Sequence, residues 1–291
     1  MIYYILLAVS LCLGVAKNII SKCGEKSFGF LSGLMSVNIL TSLIALVIFS
    51  SGISGIKSVF GILFLIMALL YGLLTLGSQS FYITAVKDGS VSVCSLIYAS
   101  CFIIPTVYSI IRNGETASLT KIFGIALMLF SVVLVSLKNK GEAGGASFKS
   151  VKYAVLAMCS AGSVGILQKE FNNIYSSKYL NTFLFAAFVF MLLTSLIIKA
   201  VTSRGDNSRA VKYDKSFFIP AVLLSISVVI ANKLNLILAA NIAGIIFFPI
   251  INGGTIMFSA ICSGIVFKEK ISPRTCIGII IGIIAIVLIA I

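Results

Sequence analysis

The sequence predicts an all-α integral membrane protein of about ten transmembrane helices, built as two inverted five-helix repeats. Three observations predict it: an apolar composition, ten long apolar runs between short connectors, and a constant offset relating the two halves. The 291 residues are 59% hydrophobic and 10% charged, with a mean hydropathy of +1.16. A soluble chain carries about a quarter charged residues. A globule of this size would have too little polar surface to face water, so lipid must solvate much of it.

A helix needs roughly 20 apolar residues to cross a bilayer. Runs of that kind fall at 2–20, 28–50, 59–86, 90–111 and 119–137, then at 151–169, 180–202, 216–240, 244–267 and 272–291. The first opens Met1-Ile2-Tyr3-Tyr4 with no basic flank, which fits a retained span rather than a cleaved signal. Pro105 interrupts the fourth run. Pro249 precedes Asn252-Gly253-Gly254 in the ninth. Such residues loosen a helix and free its carbonyls, which membranes tolerate where protein or a cavity covers them. The most polar connectors are Lys138 to Lys149 and Ser203 to Lys215. The first divides the chain into a five-helix repeat over 1–137, a linker over 138–150 and a second repeat over 151–291.

The halves share a register. Glu115 and Gly124 at the fifth run correspond to Glu269 and Gly278 at the tenth, since 269 − 115 = 278 − 124 = 154. Nearer the start of each half, Cys12 and Lys22 lie over Cys159 and Lys169 at an offset of 147. The loop around Arg204 to Lys215 absorbs the difference. Five spans is an odd number, so the second half enters the membrane from the opposite side, as in the inverted repeats of many secondary transporters.

The formal charge of +14 does not mark a nucleic-acid partner, because the basic residues are scattered through connectors rather than gathered with aromatics on one domain. They fit helix ends anchored at a lipid bilayer. They concentrate after spans one, three, five, seven and nine, Lys17 and Lys22 among them, with fewer on the other side, Lys169 among those. The positive-inside rule then places both termini outside.

Seven cysteines, an odd number, sit mostly in apolar runs. With no C-x-x-C and no histidine they argue against a disulfide framework or a metal site. No phosphate-binding G-x-x-x-x-G-K-[ST], no G-x-S-x-G and no nucleophile–base pair is present. No enzyme activity and no cofactor are expected, and any transport would draw on an ion or substrate gradient.

Each half closes with a connector glutamate and, nine residues later, a glycine in an Ile/Leu-rich last helix. In this the chain resembles the EamA-like, ten-span members of the drug/metabolite transporter superfamily, over essentially its whole length and most closely at 85–137 and 239–291. The resemblance implies a 5+5 fold, alternating access, a small-molecule substrate and location in a cell membrane. It more often goes with both termini in the cytoplasm, against the charge rule. It names no substrate, since the superfamily moves metabolites and drugs of many kinds.

Polar groups inside a membrane are expensive and so are candidates for function. Lys233, within Asn232-Lys233-Leu234-Asn235, falls seven residues before Ala240 near the end of the eighth span, roughly 10 Å deep at 1.5 Å per residue. Its counterpart at the 154 offset is Gln79, flanked by Ser78 and Tyr82. Tyr98 and Asn252 form a second equivalent pair, and Asn38 is a further candidate in span two. Tyr71, Thr75 and Lys17 are weaker ones, better read as structural. Every acid falls in or beside a connector, so no mid-span carboxylate is placed to neutralise Lys233. A substrate carboxylate or phosphate could supply that charge; the bland alternative is a lysine that snorkels to the interface. Glu115 and Glu269 read as connector acids that favour the dipole of the next helix. Gly278-x-x-x-Gly282 and Gly29-x-x-x-Gly33 permit close helix approach, either within the chain or across a homodimer.

The leading expectation is a secondary transporter of a small polar, anionic or neutral, metabolite. An exporter of amphipathic drugs or lipid-linked sugars is the nearest rival, and a membrane scaffold or sensor without turnover is the rival from another class.

Overall fold

A computed structural model describes residues 2–23, 31–53, 61–87, 91–136, 147–175, 177–203, 215–268 and 272–291. Its helices are α1 (Ile2–Cys23), α2 (Leu31–Ser50), α3 (Ile62–Lys87), α4 (Val91–Ala99 and Ile103–Asn113 joined by a 3-10 turn, Ser100–Phe102), α5 (Leu119–Ser136), α6 (Phe148–Ile174), α7 (Leu180–Ser203), α8 (Lys215–Asn241), α9 (Gly244–Val266) and α10 (Pro273–Ala290). All ten are long and apolar enough to cross a membrane, and the protein is a multi-pass membrane protein. No strand occurs among the described residues.

Local chemistry sets the ends. Gly114 stops α4 in the left-handed conformation, φ 62°, which costs glycine nothing. Ser147 caps α6 by accepting the Ser150 N–H. Ser272 does the same for α10, with Pro273 at its first position. The break in α4 lies one turn before Pro105, whose ring crowds the carbonyl four residues back, at Cys101. Helix α6 outruns the expected 151–169 at both ends, so Lys169 lies inside a helix rather than in a connector.

The helices pack in a repeating pattern of neighbours. Helix α3 lies against α6 and α7, and five helices on, α8 lies against α1 and α2. Helix α4 packs on α6 as α9 packs on α1, while α2 pairs with α7, α4 with α9 and α5 with α10. Aromatic packing fills one core, where Phe64, Phe171 and Phe183 meet from α3, α6 and α7. A second core joins Phe102, Met128, Phe247, Phe248 and Ile289 from α4, α5, α9 and α10. The G-x-x-x-G face of α10 is used within the chain: a Cβ on Gly278 would stand 2.9 Å from the Leu134 and Val135 side chains of α5. Outward stripes remain exposed and apolar, for example Ile219, Val222, Leu223, Ile226 and Ile230 on α8, as lipid requires.

Candidate functional site

Between the two cores, polar side chains from several helices face inward. On α1 they form a stripe at helical spacing, Ser10, Gly14 and Lys17. Ser10 is buried and donates to Asn235 Oδ1 of α8 at 2.6 Å. Gly14 lets α9 approach, since a Cβ there would meet Thr255 Oγ1 at 2.9 Å. Asn18 Nδ2 donates to Ser259 Oγ, also on α9, at 3.0 Å. Lys17 therefore points between α8 and α9. Its side chain is exposed in the structure, on the side of α1 that α8 and α9 flank. Its ammonium lies in electrostatic range of the Cys101 thiol of α4, which donates to Asn252 Oδ1 of α9 at 4.0 Å.

Helices α3 and α4 supply the adjoining wall. The Tyr98 hydroxyl bonds Ser78, Ser78 Oγ donates to the Thr75 carbonyl at 2.9 Å, and the Tyr98 and Tyr82 rings lie 4.9 Å apart. Tyr82 donates to Ser95 at 3.4 Å. Gln79 shares this inward side of α3 and is half-buried, with no hydrogen bond among the described residues. Thr75 Oγ1 is buried without a partner. A third group lies beside α6: Gln168 Nε2 donates to Tyr71 Oη at 3.1 Å, and Tyr71 donates to Asn232 Oδ1 at 2.7 Å.

Thus Tyr98, Ser78 and Tyr82 come together, Asn252 joins them through Cys101, and Asn232 and Asn235 face inward from α8. Two candidates fall elsewhere. Lys233 lies next to Asn232, at the helical spacing of the exposed Ile226 and Ile230, and is itself half-buried. Asn38 is buried on the α2 face that carries Ala45 and Phe49 into the first core, its Nδ2 unpartnered. The inward cation is Lys17, which the sequence ranks only as a weaker candidate, better read as structural, and groups with the connector lysines. Its spacing from Ser10 and Gly14 is the signal that could have found it.

One end of the bundle carries a charged cluster. Glu115, just past α4, accepts the N–H groups of Gly244 and Ile245 at the start of α9, both at 2.8 Å. It pairs with Lys169 of α6 at 3.1 Å. Lys169 in turn donates to the carbonyls of Ala239 and Ile242 at the end of α8, both at 3.1 Å. An anion thus meets a helix start and a cation a helix end, the favourable sense for both dipoles. The dipole served is that of α9, not of the next helix α5. Burial pushes the Glu115 carboxyl up, but the Ile245 and Gly244 N–H groups and the Lys169 ammonium outweigh it and hold it below the ordinary carboxylate range. Beside this pair Arg112 bridges Glu170 at 3.4 Å, Tyr108 donates to Glu170, and Asn173 donates to Asn113 at 3.0 Å. Glu269, the counterpart of Glu115, lies outside the described residues.

Comparison with known proteins agrees with this layout. Residues 148–291 match the EamA-like transporter family. A solved crystal structure, titled only as that of a protein, superposes with a TM-score of 0.74 over 98% of this chain and 95% of that one, at 13% identity. That likeness concerns the fold alone. No curated protein matches the chain.

Proposed function

From the match of residues 148–291 to the EamA-like transporter family, we propose that the chain is a secondary transporter moving a small polar metabolite through its centre by alternating access. The observation that carries the reading is the inward polar belt. Membrane helices gain nothing from burying Tyr71, Ser78, Tyr98, Asn232, Asn235 and Asn252 together unless the groups satisfy one another or a guest. Here Gln79, Thr75 and Lys17 remain over, facing inward without hydrogen bonds among the described residues.

Alternating access needs two modules able to rock around that belt. The neighbour pattern supports two such modules, because exchanging each helix of the first five with the helix five later turns α3–α6 into α8–α1 and α4–α6 into α9–α1. The Glu115–Lys169 cluster ties α4, α6, α8 and α9 at one end, and it is suited to hold that end closed while the other admits substrate. The α5–α10 pair stands outside the belt and serves as a support.

Purified protein in sealed vesicles gives the test. Counterflow of labelled amino acids, organic acids, sugar phosphates and sugars should reveal saturable exchange for at least one. Leak-free vesicles with no exchange of any compound, including cationic dyes, would end the transporter reading. Dye exchange alone would move it to drug efflux.

A further inference from the structure

We propose that Lys17 is the charge-recognising residue of the central site and that the transported metabolite carries a carboxylate or phosphate. This rests on the transporter reading above and adds a substrate class to it.

Lys17 lies on the inward stripe of α1, six residues before Cys23 at the helix end, so its backbone stands roughly 9 Å inside that end at 1.5 Å per residue. Helical side chains slant toward the N-terminus, which carries the ammonium deeper still, toward the level of Ser10 and its partner Asn235. Bringing a lysine to such a depth is costly by any scale, and membrane lysines normally find a carboxylate or several carbonyls. Lys169 does both, with Glu115 and with the ends at Ala239 and Ile242. Lys17 does neither among the described residues. Glu115 and Glu170, the two acids described, are both engaged at the far end of α4 and α6.

The surroundings of Lys17 are uncharged donors and acceptors. The Cys101 thiol is committed to Asn252 Oδ1, and Asn252 Nδ2 to the Phe248 carbonyl of its own helix at 3.0 Å. The hydroxyl of Tyr98 is held by Ser78. These groups bind one another and leave the ammonium facing the accessible space. Gln79, also inward and unengaged, provides a neutral hydrogen-bonding partner for the remainder of a guest. Lys233, at the helical spacing of the exposed Ile226 and Ile230 on α8, takes no part.

The experiment is thermal stabilisation of the full chain in detergent by pyruvate, glutamate, inorganic phosphate and glucose 6-phosphate, with glucose, glutamine and tetraphenylphosphonium as neutral and cationic probes. Ligands that favour the folded state raise the midpoint by mass action. At least one anion should stabilise the wild type. Lys17→Gln should weaken its apparent affinity about ten- to a hundred-fold, as loss of a charged hydrogen bond does, whereas Lys17→Arg should keep most of it. Lys233→Gln should leave it unchanged. Carboxylate against phosphate probes separate the two sources of charge. Undiminished anion binding by a folded Lys17→Gln protein would overturn the inference, and so would stabilisation by glucose, glutamine or the cation alone; both leave transport standing. Stabilisation by none of the probes, joined to no exchange in vesicles, would remove both.

Discussion

The two ends of the bundle are built from equivalent sequence positions, and one of them carries an outer charged pair that the equivalent positions of the other lack. At the end where α8 turns into α9, the inner pair Glu115–Lys169 is backed by an outer pair, Arg112–Glu170. In the sequence Lys22 and Glu269 correspond to Lys169 and Glu115, at offsets of 147 and 154. The positions of Arg112 and Glu170 hold Val266 and Cys23 there, since 112 + 154 = 266 and 170 − 147 = 23. The inner acid and base are thus duplicated and the outer pair is not. Lys22 is exposed, its ammonium 4.7 Å from the Phe267 ring centroid, whereas Lys169 is buried. A pseudo-symmetric transporter whose two gates were equal would show no preference between its inward- and outward-facing states. On the alternating-access reading proposed above, the second charge layer would weight one end toward closure.

The comparison can be broken most directly at Lys169. Lys169→Met leaves the half-buried Glu115 without its cation and should cost about 1.5–3 kcal/mol, as loss of a hydrogen bond to a charged group does, read as a lowered unfolding midpoint in detergent. The double variant Glu115→Gln/Lys169→Met should lose less than the single one. A single variant as stable as wild type would show that the cluster is ornamental.

Acid should act next. The Glu115 carboxyl is held below its ordinary range, so its stabilisation is complete above the unfolded value, about 4.3, and disappears as pH falls through the lower folded value. Midpoints measured across that window should fall on acidification, and Glu115→Gln should flatten that part of the curve. An identical acid slope in both proteins would assign the loss elsewhere.

At the opposite end Lys22 is exposed, so Lys22→Met should cost less than Lys169→Met, as exposed charges are screened by water. A loss as large as that of Lys169→Met would make the ends equivalent. Arg112→Gln should change stability least, within about 1 kcal/mol, because its side chain is 65% exposed. It should nevertheless loosen closure. In a protein whose only cysteine is Cys101, labelling by a membrane-impermeant maleimide from that side should run faster in Arg112→Gln than in its parent, and equal rates would remove the gating role.

Much of this molecule was legible in its residues. Ten spans follow from composition and run length, because lipid leaves the backbone no other way to satisfy itself. The offset pairs Tyr98 with Asn252, and in the structure Asn252 accepts the thiol of Cys101, three residues along from Tyr98. Run length could not reveal which way a side chain points. Asn232 and Lys233 are neighbours in sequence, yet about 100° apart around a helix, and only the packing of α8 on α1, α2 and α6 decides which faces the centre. Lys17 looked like an anchor by its closeness to a helix end; its place between α8 and α9 depends on how they pack on α1, which no local pattern records. Glu115 and Lys169 stand 54 residues apart, and their pairing depends on where the α8–α9 turn comes to rest. Hydrophobic length is a local property and determined the architecture, whereas the partners of each buried charge were decided only once distant helices had converged.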